Sequence, residues 1–112
     1  MADAYPFTAQ SNTPTLIAGG RRGEIGTIFA RNPHASAGAY VKLYESASAS
    51  APDGDSVPRW MAWVPGSDAG ATPPLPAGVE GGPWWIAVAT EPAAGLTAPT
   101  TAFEISLSLR RV

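Results

Sequence analysis

Residues 102–111 read AFEISLSLRR, and their alternation decides the conformation of this stretch. In an extended chain Phe103, Ile105, Leu107 and Leu109 fall on one side, and Glu104, Ser106, Ser108 and Arg110 on the other. A helix would scatter the same apolar groups around its axis, so the segment is predicted as a β-strand with one buried face. The stretch EIGTIFARN at 24–32 sets Ile25, Thr27 and Phe29 against Gly26, Ile28 and Ala30, which predicts a central strand covered on both faces.

Three further windows read in the same way. YVKLYE at 40–45 alternates Tyr40, Lys42 and Tyr44 with Val41 and Leu43, a β-branched and aromatic mix suited to a pleated surface. RWMAWV at 59–64 and WWIAVAT at 84–90 hold all four tryptophans between Pro and Gly breakers, and these two strands are expected to pair or to face each other. TLIAG at 15–19 is a weaker strand ahead of the turn GGRRG.

Twelve glycines and twelve prolines leave no uninterrupted window for a long amphipathic helix. The expected fold is therefore all-β: a small antiparallel β-sandwich or jelly-roll-like barrel of about six to eight short strands. Residues 1–14 lack a clear period and contain Pro6 and Pro14, so they are expected to form an extended N-terminal arm, dispensable to the fold and free to lie on a neighbouring subunit. Residues 15–112 would then form one sandwich domain, with long Ala, Gly, Ser and Pro connections at 46–58 and 65–83.

Composition narrows the functional classes. The chain has 112 residues, enough for one core, with 45% hydrophobic and only 14% charged residues, and a surface so poor in charge suits coverage by a partner. Net charge is −2 and the seven basic residues are scattered, which argues against nucleic acid as a partner. Apolar runs such as PWWIAVA fall far short of the ~20 residues of a spanning helix, so no membrane is expected. MADAYPFTAQ has neither a basic start nor an apolar stretch, so synthesis in the cytoplasm without a secretory signal is expected. The absence of cysteine excludes disulfides, thiolate chemistry and cysteine-based zinc sites.

The inventory for catalysis is thin. His34 is the one histidine and lies in the turn-like stretch NPHASAG, where an exposed turn residue is the expected role. The DGD at 53–55 resembles the opening of a calcium loop, but the remaining oxygen ligands and distal Glu are missing, leaving an acidic turn. GGRRG matches neither a P-loop nor a dinucleotide fingerprint, and no G-x-S-x-G elbow accompanies the serines. No catalytic residue, cofactor or metal is therefore expected.

The tryptophans remain the most informative side chains. Neighbours along a strand point to opposite sides, so Trp84 and Trp85 cannot share a face, and one member of each set, Trp60 with Trp63 and Trp84 with Trp85, should enter the core while the other reaches solvent or a partner. Packing in a core or subunit contact is preferred over sugar stacking, and Trp60, Trp63, Trp84 and Trp85, with Tyr5 and Phe7 of the arm, are the candidate interface residues.

The succession YVKLYE, a flexible loop, VPRWMAWVPG and LPAGVEGGPWWIAVAT resembles a group of small tailed-phage proteins with the layout N-x-x-yVkLYd, P-x-x-x-x-x-vP, G-x-x-x-aiaT. The likeness covers residues 24–90 and rests on Asn32, Tyr40, Val41, Leu43, Tyr44, Pro58, Val64, Pro65, Gly82, Ala87 and Thr90. The chain departs from that group in placing Pro83-Trp84-Trp85 where a small or aliphatic residue usually precedes the last of these strands. What the resemblance implies is a virion structural protein without enzymatic activity: a capsid decoration or cement protein on the virion surface, partnered by the major capsid protein and itself a homo-oligomer, with a trimer favoured. The alternatives are a carbohydrate-binding or adhesin module reading a surface glycan through an exposed Trp with Asp53 and Asp55, and a tail or baseplate structural protein.

Overall fold

In a computed structural model the chain is all-β, and the structure describes residues 2–46, 50–66, 70–71 and 80–110. The strands are β1 (Ala2–Gln10), β2 (Thr15–Leu16), β3 (Gly23–Arg31), β4 (Ala39–Glu45), β5 (Trp60–Val64), β6 (Gly70–Ala71), β7 (Glu80–Gly81), β8 (Trp84–Ala89) and β9 (Phe103–Arg110), with a short 3-10 turn at Ile17–Gly20. They form two antiparallel sheets. The first, here sheet A, runs β1-β9-β3 with the short β6 and β7 both on the far edge of β3; the second, sheet B, runs β2-β8-β4-β5. Within the connections at 46–58 and 65–83, residues 47–49, 67–69 and 72–79 lie outside the described residues, as does Arg111.

The core is the space between the sheets. Strand β9 fills it as its alternation demands, with Phe103, Ile105, Leu107 and Leu109 all at most 3% exposed, while Ile25, Ile28 and Ala30 of β3 extend the same layer. Sheet B answers with Val41 and Leu43 of β4, Val64 of β5, and Trp84, Ile86 and Val88 of β8. Trp84 is fully buried, and its indole N–H donates to the Gly23 carbonyl of sheet A at 3.1 Å, so one side chain supplies both apolar bulk and a hydrogen bond between the layers. The Arg59 guanidinium lies 5.4 Å from the centroid of the same ring.

Three expectations change here. Strand β3 is central but covered on one face only, because a bulge between Ile25 and Ile28 puts these two isoleucines on the same side and turns Thr27 and Phe29 outward. The extra residue is locked by Ser108, whose hydroxyl accepts the Thr27 N–H at 2.9 Å. The two tryptophan strands share sheet B without pairing, since β4 lies between β5 and β8.

The largest change concerns the first fourteen residues. Instead of an arm, residues Ala2–Gln10 form an edge strand paired with β9 from Ala2↔Arg110 to Gln10↔Phe103. Tyr5 and Phe7 point inward and pack against the core, while Pro6 is tolerated because an edge strand is hydrogen-bonded on one side only. At the corner that carries the chain from sheet A to sheet B, the buried Gln10 amide nitrogen lies 2.9 Å from the Thr13 carbonyl and 3.2 Å from those of Ser11 and Ile86. The Val88 N–H donates to the Ser11 carbonyl at 2.9 Å, which fastens the same corner to β8.

Deleting residues 1–14 is therefore expected to abolish the cooperative thermal transition, because it removes one of the two ladders of β9 and takes Tyr5 and Phe7 away from the core. Phe7→Ala alone should cost about 2 kcal/mol in a denaturant titration. An unchanged transition in the truncated chain would contradict the placement of β1.

Candidate binding surfaces

The sandwich has two outer faces, and they differ. On sheet B the outward residues of β4 are Tyr40, Lys42 and Tyr44, opposite Ala89, Ala87 and Trp85 of β8. A polar Lys flanked by two tyrosines on a sheet surface would ordinarily face water, yet Lys42 is 0% and Tyr44 1% exposed. The cover is the chain that follows β8. The Lys42 ammonium donates to the carbonyls of Ala93 at 2.9 Å and Gly95 at 2.8 Å, and the Ala93 N–H lies 3.2 Å from the Met61 sulfur.

The roof is built for this contact. Ala93 and Gly95 both adopt positive φ, 57° and 125°, and a side chain at Gly95 would collide with Glu91. The Thr97 N–H donates to the Glu91 carboxylate at 2.8 Å, Thr90 N–H to the Thr97 carbonyl at 3.1 Å, and the Asn12 amide to the Leu96 carbonyl at 2.8 Å. Hydrogen bonds from the Thr97 hydroxyl and N–H hold the Glu91 carboxyl below its usual range. Burial pushes the Lys42 ammonium down, with the negative charge of Glu91 opposing, and pushes the Tyr44 phenol up to about 12. Among the described residues, the buried Tyr44 hydroxyl and the Trp85 indole N–H have no hydrogen-bond partner.

Among the described residues of this face, the exposed large apolar side chains lie on β5. Trp63 is 51% and Met61 38% exposed, and the Trp63 ring meets Tyr40 edge-on with centroids 5.0 Å apart. The candidate aromatic residues thus divide as strand geometry requires: Trp60 and Trp84 go inward, Trp63 and Trp85 outward, and Tyr5 and Phe7, partly buried, pack against the core.

Sheet A has no roof among the described residues. Its outer face is a furrow floored by Ser106 and Ser108 of β9, between Ala4, Pro6 and Thr8 of β1 and Thr27, Phe29 and Arg31 of β3. Two open depressions of about 250 and 300 Å³ meet at Phe29, which is 47% exposed. They are too shallow to enclose a small molecule and suit contact with another surface. The charges of the face are paired across strands, Arg31 with Glu104 and Arg110 with Glu24, leaving a neutral middle.

The remaining candidates have structural roles. Asp53 accepts the Asp55 N–H at 2.9 Å and the Ser56 hydroxyl at 3.2 Å, so the DGD stretch is an exposed turn closed on itself. His34 Nδ1 accepts the N–H groups of Ser36 at 3.0 Å and Ala37 at 2.8 Å. Asn32 closes the same turn, its carbonyl oxygen accepting the His34 N–H at 3.0 Å and its amide donating to the Ala37 carbonyl at 2.8 Å. GGRRG leads out of the 3-10 turn and sends Arg21 to Asp3 at 2.8 Å and to the Tyr5 hydroxyl at 2.7 Å. At the other end of β4, burial alone would raise the Glu45 carboxyl, but the Gly82 N–H and the Arg59 guanidinium outweigh it and hold the group below its ordinary value. Among the described residues no three His, Asp or Glu side chains gather to hold a metal ion.

The sequence reading missed Lys42 and Phe29. In Lys42 the signal was the central Lys of YVKLYE, whose two neighbours on that face are aromatic; in Phe29 the bulge reversed the expected phase. Comparison with family models, with curated proteins and with solved structures yields no match.

Two substitutions test the roofed face. An alkaline titration should show a phenolate forming near pH 12 that Tyr44→Phe removes. Because the folded phenol titrates above the unfolded one, its contribution to stability is complete below pH 10 and falls as pH rises towards 12, a decline that Tyr44→Phe should remove. Lys42→Met keeps the bulk and loses both carbonyl contacts, so it should cost about 1–3 kcal/mol and raise amide exchange across residues 91–97.

Proposed function

We propose that this chain is a non-enzymatic virion structural module, a capsid decoration protein that docks on the outer shell through the open face of sheet A. The observation that carries the reading is the inequality of the two outer faces: the chain roofs sheet B with its own residues 93–97 and leaves sheet A uncovered among the described residues, with Phe29 47% exposed above a neutral serine furrow. An aromatic anchor at the centre of a patch whose charges are already paired suits a protein surface better than a polyanion. The resemblance of residues 24–90 to small tailed-phage proteins is the reason for proposing the major capsid protein as the partner. A homotrimer at threefold positions of the shell remains the preferred assembly.

Purified protein mixed with capsids assembled without it should bind saturably, in numbers set by the shell's symmetry, and should raise the temperature at which the shell opens. Phe29→Asp, a change at an exposed position, should leave the fold intact and weaken shell binding at least about tenfold. Absence of binding, or full binding by Phe29→Asp, would overturn the docking face.

A further inference from the structure

The exposed indole of Trp63 lies on the sheet opposite to that face and has a setting of its own. It projects from β5 into the space that a side chain at position 38 would fill: a Cβ on Gly38 would sit 2.3 Å from its Cζ2 and 2.8 Å from its Cη2. Tyr40 closes a second side edge-on at 65°. The ring is therefore wedged between a bare stretch of backbone and another aromatic side chain, and still keeps 51% of its surface in solvent. A large apolar side chain held in one place and left half uncovered is preorganised to stack on a ligand.

The turn that ends at Gly38 supplies a polar rim. It packs on the end of β5, where a Cβ on Gly66 would sit 2.4 Å from the Ser36 carbonyl carbon and where the Asn32 amide reaches the Ala37 carbonyl. His34 Nδ1 is engaged as an acceptor by two backbone N–H groups, so in the neutral ring the proton resides on Nε2, which is a donor. Ser36 is exposed beside it. An aromatic plate beside a turn that carries a hydroxyl and an imidazole N–H, with no charge on any of these described side chains, suits a neutral pyranose, whose apolar face stacks while its hydroxyls reach sideways.

Size argues against a macromolecular surface. Half of a tryptophan side chain offers about 100 Å², and among the described residues the addition of Met61 leaves the patch far below the ~800 Å² per partner of a stable protein interface. We infer that Gly38, Tyr40 and Trp63, with His34 and Ser36 at the rim, form a stacking subsite for one ring of a neutral glycan. The inference is independent of shell docking, since it uses the other sheet.

The test is tryptophan fluorescence and NMR titration of the intact chain with neutral oligosaccharides, among them cello-, malto- and isomalto-oligomers. At least one should bind saturably in the millimolar range, with shifts centred on Trp63, Gly38 and His34. Trp63→Ala should lower that affinity at least about tenfold, or about 1.4 kcal/mol. Gly38→Ala, which displaces the ring, should weaken it while circular dichroism stays unchanged, and Phe29→Asp should leave it intact. Failure of every glycan to bind, or binding that survives Trp63→Ala, overturns the subsite. Loss of shell binding in Trp63→Ala with Phe29→Asp unaffected also overturns it, since the ring would then be a protein contact.

Discussion

Strand β9 is hydrogen-bonded on both sides, and sheet A depends on that double pairing. To its left lies β1, to its right β3, so the first and last described strands are closed into one sheet and most contacts are distant in sequence. Its inward residues Phe103, Ile105, Leu107 and Leu109 form the floor of the core, and its outward Ser106 and Ser108 are small enough to leave a furrow. One period-two pattern thus creates both the packed interior and the open exterior. A larger residue at position 106 would fill the furrow without disturbing the core, whereas Ser108 also holds the β3 bulge through the Thr27 N–H.

Sheet B is arranged differently. Its centre is buried on both sides, with Val41, Leu43, Ile86 and Val88 inward and Lys42, Ala87 and Ala89 beneath the chain's own roof. An ammonium within hydrogen-bond reach of two carbonyls is costly to desolvate, and it is retained here with its hydrogen bonds made and Glu91 nearby. The roof reaches β5 at Met61, by way of the Ala93 N–H, and leaves Trp63 half exposed at the margin. On the proposed reading, a module docked through sheet A would present this margin to the surrounding medium.

Much of this was legible in the residues. The alternation of 102–111 and 40–45 identified β9 and β4, the density of Gly and Pro excluded helices, and adjacency alone divided the tryptophans into inward and outward members. The phase of β3 was not legible, because a bulge adds a residue that alternation cannot count, and its lock is a serine eighty-one positions away. Strand β1 was hidden by Pro6, a breaker in a central strand but harmless at an edge, and by Ala4, Pro6 and Thr8, which give no polar-apolar contrast with Tyr5 and Phe7. Burial of Lys42 depends on the positive-φ turn at Ala93 and Gly95, whose docking site no local pattern reveals.

Hydroxyl-radical footprinting of the protein, free and bound to capsid shells, tests the central claim that the sandwich keeps one face roofed and offers the other. In the free protein Phe29, Pro6 and Trp63 should be modified readily and Tyr44 protected; on shells, protection should spread to Phe29 and Pro6 while Trp63 stays reactive. Ready modification of Tyr44 in the free protein, or protection of Trp63 in place of Phe29 on the shell, would contradict the account.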